Sequence, residues 1–196
     1  GEELDLFFMD AEVGVGLPMW MPNGAVVRDE LEDWAREAEF KAGFKRVSTP
    51  AITRKELYLK SGHLPYYAED MYPPMQVDDH DEYYLRPMNC PHHHKIYGAR
   101  PRSYRELPLR LAEYGNTYRY EKHGSLAGLL RVRAMCMNDA HIYCTPEQVE
   151  QEFRSVMSMY DYYYNHLRMG SFRVRLSLHD PESEKFVGKT DEWLKT

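Results

Sequence analysis

The alternation of apolar and polar residues along the chain predicts two amphipathic helices. The first carries apolar residues at helical spacing between charged ones and ends near Gly43. Its apolar stripe comprises Val27, Leu31, Trp34, Ala35 and Ala38. The second helix begins at Thr145, whose side chain can form a capping box with that of Gln148, and it ends near Gly170.

Short strands are predicted between and after these helices. Residues 44–48 and 83–85 are candidate strands, and apolar residues alternate with polar ones over 172–178. A tight turn is predicted at Asn23-Gly24, and the acidic stretch 69–82 is predicted to be an exposed loop. Because strands and helices do not alternate regularly, the order favours an α+β fold with an antiparallel sheet.

Charged side chains recur at odd-numbered positions of residues 118–141. If 131–141 form a strand, its odd positions share one face. Those positions are Arg131, Arg133, Met135, Met137, Asp139 and His141. Arg119 and Glu121 share a face of the preceding strand, and the two strands form a predicted hairpin. Arginine guanidinium groups suit phosphate and carboxylate oxygens, but a solvent-facing sheet with cross-strand ion pairs fits the same periodicity.

Composition limits the classes of protein that this chain can represent. Its 196 residues are 43% hydrophobic and 29% charged, which suits one globular domain or a large part of one. No apolar run is long enough to cross a membrane, and three scattered cysteines fit a reducing cytoplasm better than a disulfide scaffold. Residues 95–133 carry nine Lys or Arg against three Glu in a chain of net charge -6. This basic stretch indicates either an anionic ligand such as a phosphate or a solvated surface.

Spacing alone does not establish a metal site. Cys90 and His141 are 51 positions apart, and a lone cysteine is most often a buried thiol. The run His92-His93-His94 suggests metal binding, but adjacent side chains cannot all point at one ion. We therefore expect these three histidines to be structural or to lie at the surface.

Several segments together resemble class II aminoacyl-tRNA synthetases, and most specifically the threonyl-tRNA synthetases. They are MWMPNG (19–24), GFKRVSTP (43–50), SGHLPYYAEDMY (61–72), RPMNCPHH (86–93), SYRELPLRLAEYG (103–115) and NDAHIYCTPEQ (138–148). Residues 27–50 resemble the first class signature, which forms the homodimer interface in that family. Residues 118–139 resemble the second signature, which holds ATP.

The resemblance implies a two-step reaction. The carboxylate of L-threonine attacks the α-phosphate of ATP, bound with Mg²⁺, and the threonyl group then passes to tRNA(Thr). Arg119 would contact the α-phosphate and the substrate carboxylate, and Glu121 would lie beside the adenine amine. Arg131 would lie near the triphosphate or the tRNA end. Met135 takes the adenine-stacking position, where the family usually has Phe.

The resemblance also implies a zinc ion that grips threonine through its amino and hydroxyl groups. Cys90 and His141 match two of the ligands, and Asp139, Met137 and Met88 would contact threonine. The resemblance implies that the third zinc ligand is a histidine that would lie beyond residue 196. We expect the third donor to come from outside this chain, unless His179 or His123 supplies it.

Residues 1–196 are thus expected to form the amino-terminal portion of a class II catalytic domain that contains the first and second signatures and lacks the third. Such a piece is expected to be inactive alone. The implied protein is a cytoplasmic homodimer without membrane association. Two alternatives stay open, namely a non-catalytic synthetase-derived paralogue and another class II synthetase of the prolyl or seryl type.

Overall fold

The computed structural model describes residues 1–79 and 81–178 together with Asp180 and Glu182, and the chain divides into two compact units. The first unit comprises residues 1–101 and 110–141. Its helices are α1 (Pro22–Lys41), α2 (Lys55–Lys60), α3 (His63–Tyr66) and α4 (Cys90–Tyr97). Its strands are β1 (Phe7–Phe8), β2 (Met19–Trp20), β3 (Lys45–Arg46), β4 (Ile52–Arg54), β5 (Met75–Gln76), β6 (Glu82–Leu85) and all but the terminal residues of β7 (Leu109–Tyr118) and β8 (Ala134–Tyr143). No helix among the described residues is both long and apolar enough to cross a membrane.

The strands form three small sheets, and the α+β prediction is confirmed. β1 pairs antiparallel with β2, and β6 pairs antiparallel with both β4 and β5. The third sheet has the order β3-β7-β8, in which β3 runs parallel to β7 with Lys45 opposite Leu111. Because β7 and β8 are ten residues each, this third sheet is the platform that carries the candidate site.

Helix α1 confirms the first predicted helix but begins earlier than expected. Pro22 occupies the first turn, where its missing N–H costs nothing, so Asn23 and Gly24 are helical. The predicted turn at Asn23-Gly24 is therefore wrong. Gly24 is required for a different reason: a Cβ at this position would lie 1.8 Å from the carbonyl oxygen of Leu6. The segment that precedes β1 thus packs directly on the start of α1.

The predicted hairpin is real, but its strands are shorter at the loop end. β7 ends at Tyr118 and β8 begins at Ala134, so the predicted strand positions Arg119, Glu121 and Arg131 lie in the connection. The guanidinium of Arg133 donates two hydrogen bonds, of 3.0 and 2.8 Å, to the Glu121 carbonyl oxygen. The Arg133 side chain therefore does the work of a neighbouring strand, because it donates to a carbonyl oxygen that no backbone N–H of a paired strand reaches in the described part of the chain.

Three other predictions change in extent. The strand predicted at 44–48 is reduced to β3, whereas that at 83–85 is confirmed as β6. The stretch 69–82 is not wholly an exposed loop, because Met71 is buried against Tyr58 and Tyr84. Residues 172–178 form no strand, which makes that prediction wrong. A strand needs a neighbour to pair its backbone groups, and none of the described residues pairs with this segment.

The second unit comprises residues 102–109 and the described residues from 142 onward. Its main element is α5 (Val149–His166), preceded by a 3₁₀ turn, Pro146–Gln148. The predicted capping box is present: the backbone N–H of Thr145 donates to Gln148 Oε1 at 3.0 Å. The helix ends at His166, four residues before the predicted end at Gly170.

Candidate active site

Cys90, Asp139 and His141 come together in the first unit. One possible ligand atom from each lies within 4.8 Å of the other two. Cys90 is the first residue of α4, and Asp139 and His141 alternate on β8, so both point to the same face of the sheet. On the opposite face α1 lies beside the strand, since Asn138 donates to Glu39 Oε1, although Asn138 itself is exposed. Asp139 and His141 are half-buried, so part of each side chain is accessible to a ligand.

This trio fits a zinc ion in donor type, and its donor atoms lie within 4.8 Å of one another. Thiolate, imidazole and carboxylate are the usual zinc donors, and bonds of about 2.0–2.3 Å bring such donors within about 4 Å of each other. Burial lowers the pKa of His141, which keeps the imidazole in the neutral form that binds metals. Burial and the charge of Asp139 raise the pKa of the Cys90 thiol, so metal binding would have to release its proton.

The structure places only one of the two histidines that the sequence offered as a third donor. His123 lies in an exposed 3₁₀ turn, and it is not part of this cluster. His179 lies outside the described residues. Asp139, which the resemblance assigned to the substrate, is instead close enough to act as a third ligand.

Arg119 lies beside this cluster. It directly follows β7, and its Nε donates to the Pro87 carbonyl oxygen at 3.3 Å. Burial and Asp139 raise the pKa of the Cys90 thiol, and the charge of Arg119 acts against them. Met88 is half-buried in the segment between Pro87 and Cys90, and Met137 is on the same β8 face as Asp139. The predicted catalytic, threonine-binding and metal-binding residues are therefore close together.

The remaining predicted ATP-binding residues form a separate group. Arg131 Nε lies 3.2 Å from Glu121 Oε2, and the Arg131 side chain is 57% exposed. Met135 borders, with Val27 and Leu31 of α1, a cavity of about 480 Å³. The structure therefore pairs Glu121 with Arg131, while the contact between Met135 and adenine stays a prediction.

A buried cluster behind the site was missed by the sequence reasoning. Glu113 accepts hydrogen bonds from the Thr49 N–H at 2.7 Å and the Thr49 hydroxyl at 2.8 Å, and Arg86 Nη1 lies 3.3 Å from its Oε1. His93 Nε2 lies 3.0 Å from the other Glu113 oxygen. A signal was available: Glu113 is flanked by apolar residues of β7, and a charge in such a strand must be paired.

The buried cluster is continuous with the metal-ligand trio. His93 is completely buried, and its Nδ1 lies 2.9 Å from His141 Nδ1. Gly115 of β7 makes room for the cluster, because a Cβ there would lie 2.5 Å from Arg86 Nη2 and 2.9 Å from Asn89 Oδ1. His93 is therefore structural, as expected, and it contacts a candidate ligand directly.

Residues 66–192 match the family described as "tRNA synthetase class II core domain (G, H, P, S and T)". The chain belongs to this family. The particular relatives that it resembles are threonine–tRNA ligases. That of Deinococcus radiodurans is 49% identical over 193 residues, and that of Thermus thermophilus is 50% identical over 196.

The chain is shorter than these relatives. Each match covers 98% of this chain and 30% of the relative, so the chain spans about a third of their length. The chain is also similar to the crystal structure of the RNA binding domain of threonyl-tRNA synthetase from Cryptosporidium parvum, with 37% identity and a TM-score of 0.89. This match covers 100% of the present chain and 47% of the chain in that crystal structure. The fold of the described residues is therefore that of a segment within a larger synthetase.

Proposed function

We propose that this chain is part of a threonine–tRNA ligase, which activates L-threonine with ATP and transfers it to tRNA(Thr). One observation carries the proposal: Cys90, Asp139 and His141 cluster beside Arg119 in a chain about half identical to proteins of that name. A structural module would have no need to hold a thiol, a carboxylate, an imidazole and a guanidinium at one open face.

Activation depends on charge stabilisation more than on a protein nucleophile. The threonine carboxylate attacks the α-phosphate of ATP, and pyrophosphate leaves. Arg119 is held by the Pro87 carbonyl next to the trio, so its guanidinium is positioned to neutralise charge on the carboxylate and phosphate oxygens. Glu121 and Arg131 would exchange their mutual ion pair for the adenine amine and the phosphates of ATP with Mg²⁺. Met135 would cover the purine, since a thioether packs well on aromatic faces.

Cys90, His141 and one further donor would hold the zinc ion. When bound, zinc supplies an electrophilic centre for the amino and hydroxyl groups of threonine, and a site built around a hydroxyl rejects an analogue that lacks it. Asp139 is either the third ligand or the partner of the threonine amino group. Met88 and Met137 would line the same pocket beside the substrate methyl group.

Assembly and compartment are part of the proposal. Helix α1 exposes several apolar side chains within and beside residues 27–50, which suits a homodimer interface. They are Val26, Val27, Leu31 and Phe40. All three cysteines are free thiols, which suits the cytoplasm. Since the chain spans about a third of its relatives, we expect it to lack activity when produced alone.

The test is amino-acid-dependent exchange between ATP and pyrophosphate in the full-length protein, with bound zinc quantified in the same sample. We expect exchange with L-threonine and little with L-valine, which lacks the hydroxyl. A zinc-loaded protein that shows no exchange would indicate a non-catalytic paralogue. Exchange driven by L-proline or L-serine instead would indicate another class II specificity.

The zinc assignment is tested by substitution. We expect Cys90→Ser and His141→Ala to lose bound zinc, whereas Lys95→Ala, an exposed position on the same helix, keeps it. Asp139→Asn separates the two roles of that residue. Weaker zinc binding would identify a ligand, and an unchanged zinc affinity with a raised KM for threonine would identify a substrate contact.

A further inference from the structure

Glu113, His93 and His141 form a continuous line of hydrogen bonds that runs from the buried cluster to the trio. Glu113 Oε2 lies 3.0 Å from His93 Nε2, and His93 Nδ1 lies 2.9 Å from His141 Nδ1. The side chains of Glu113 and His93 are 2% and 0% exposed, so water does not compete for these bonds. Each nitrogen of His93 is engaged, and neither is available to bind a metal.

The direction of each bond follows from the chemistry of Glu113. An ionised carboxylate can only accept, so His93 must donate to it from Nε2. When the His93 ring is neutral, a proton on Nε2 leaves the lone pair on Nδ1, and this lone pair accepts the bond from His141. His141 therefore carries its proton on Nδ1, which leaves the lone pair of its Nε2 for another partner.

The carboxylate at the start of this line is itself fixed. Glu113 Oε1 accepts from the Thr49 N–H at 2.7 Å and lies 3.3 Å from Arg86 Nη1. Arg86 in turn donates from Nε to the Asn116 carbonyl oxygen at 2.6 Å. Backbone groups on two segments thus hold the charges in place, so the proton positions of both histidines are set by the fold.

We propose that His93 and Glu113 are positioning residues for a zinc site, and that they fix His141 as an Nε2 ligand. The inference rests on the proposed function, because it concerns the zinc ion assigned there. Partners of this kind orient the ligating ring and raise its basicity, and their loss typically weakens metal affinity about 10- to 100-fold. Neither residue is a ligand, so the zinc stoichiometry at saturation is unchanged by their substitution.

Nitrogen NMR of the histidine side chains tests the proton positions directly. In zinc-free, full-length protein labelled with ¹⁵N, we expect a proton on Nδ1 of His141 and on Nε2 of His93. A His141 ring protonated on Nε2 instead would overturn the proposal. This measurement needs no substitution that could disturb folding.

Two variants of His93 distinguish a positioning role from a packing role. In His93→Asn the side-chain oxygen can take the place of Nδ1 and accept from His141, whereas His93→Leu has no acceptor. We expect His93→Leu to weaken zinc affinity about 10- to 100-fold, measured by competition with a chelator, and His93→Asn to retain most of it. Equal affinities in the wild type and His93→Leu would contradict the inference.

Glu113→Gln tests the start of the line, with Glu152→Gln as its matched control. Glu152 is also a buried carboxylate, but it belongs to α5 in the second unit. We expect only the Glu113 variant to bind zinc more weakly. Equal losses in both variants would overturn the inference, since any buried carboxylate would then serve.

The failure of this inference can be distinguished from failure of the proposed function. If the wild-type protein catalyses threonine-dependent exchange between ATP and pyrophosphate, and substitutions at His93 and Glu113 leave its zinc affinity unchanged, only the inference is lost. If zinc affinity depends on these residues but threonine supports no exchange, the ligase proposal is lost and the inference stands. A wild-type protein that binds no zinc would overturn the inference.

Discussion

Two ion pairs near β7 have almost the same nitrogen–oxygen distance but differ in how far they are exposed to solvent. In the buried cluster, Arg86 lies 3.3 Å from Glu113, and the two side chains are 3% and 2% exposed. In the open cluster, which is formed by Glu121 and Arg131, Arg131 lies 3.2 Å from Glu121, and the side chains of Arg131 and Glu121 are 57% and 17% exposed. Distance alone does not separate the two pairs, whereas burial does.

The comparison shows which charges are available to a ligand. A buried pair that loses one partner leaves the other charge in a medium that cannot solvate it, so its groups are committed to the fold. An exposed pair contributes little to stability, and a phosphate can replace the carboxylate as the partner of the guanidinium. The buried cluster therefore supports the site from behind, and the open cluster is suited to bind an anionic substrate.

The largest expected effect comes from breaking the buried cluster. We expect Glu113→Ala to lower the free energy of unfolding by about 3–5 kcal/mol, because Arg86 is left buried without its counter-charge. Denaturant-induced unfolding of the full-length protein measures the change. Glu121→Ala is the matched control from the open cluster, with an expected loss below about 1 kcal/mol. Similar losses for both would break the comparison.

The next effect concerns activity. We expect Arg119→Ala to lower kcat for threonine-dependent pyrophosphate exchange about 10²- to 10³-fold, as for other lost charge-stabilising donors. The unfolding midpoint should change little, because the one hydrogen bond that the guanidinium makes to the described residues, that to Pro87, is long. Near-normal exchange in this variant would remove Arg119 from the mechanism.

The stability contributed by the buried cluster is expected to depend on pH through the ionisation of Glu113. Burial opposes the ionisation of Glu113, but hydrogen bonds from Thr49 and His93 and the charge of Arg86 outweigh it, so its pKa is lowered. A lowered pKa in the folded state contributes stability above the unfolded-state pKa of about 4.5, and this contribution is lost as pH falls through the folded value.

We therefore expect the stability difference between wild type and Glu113→Gln to shrink on acidification below about pH 4.5. Thermal unfolding measured over a series of acidic pH values tests this. A difference that stays constant across the series would show that the carboxylate charge is not what stabilises the cluster.

The smallest effect on stability is expected at Arg131. Arg131→Ala should cost about 0.2–1 kcal/mol, and the difference should vanish at high salt because the pair is exposed. The same variant should raise the KM for ATP if Arg131 contacts the phosphates. An unchanged KM would leave Glu121–Arg131 as a surface ion pair, the alternative that periodicity alone left open.

Local pattern predicted the elements whose signals are contained in neighbouring residues. Helix α1 and the Thr145–Gln148 capping box depend on spacings of three or four residues, and both are confirmed. Pattern failed where a distant group decided the outcome. Gly24 is helical because Pro22 starts the helix early and the Leu6 carbonyl packs against it. Residues 172–178 have the alternation of a strand but no partner among the described residues.

The sequence by itself determined the family and the chemical types at the site. Motifs such as RPMNCPHH carry the information on the family. The alternating run from Met135 to His141 indicates which side chains share a face, because side chains alternate along a strand. Only the tertiary structure brought Asp139 within reach of Cys90 and placed His93 between Glu113 and His141. These contacts join residues 20 to 49 positions apart, and their distances follow from how α4 packs beside β7 and β8, which no local pattern specifies.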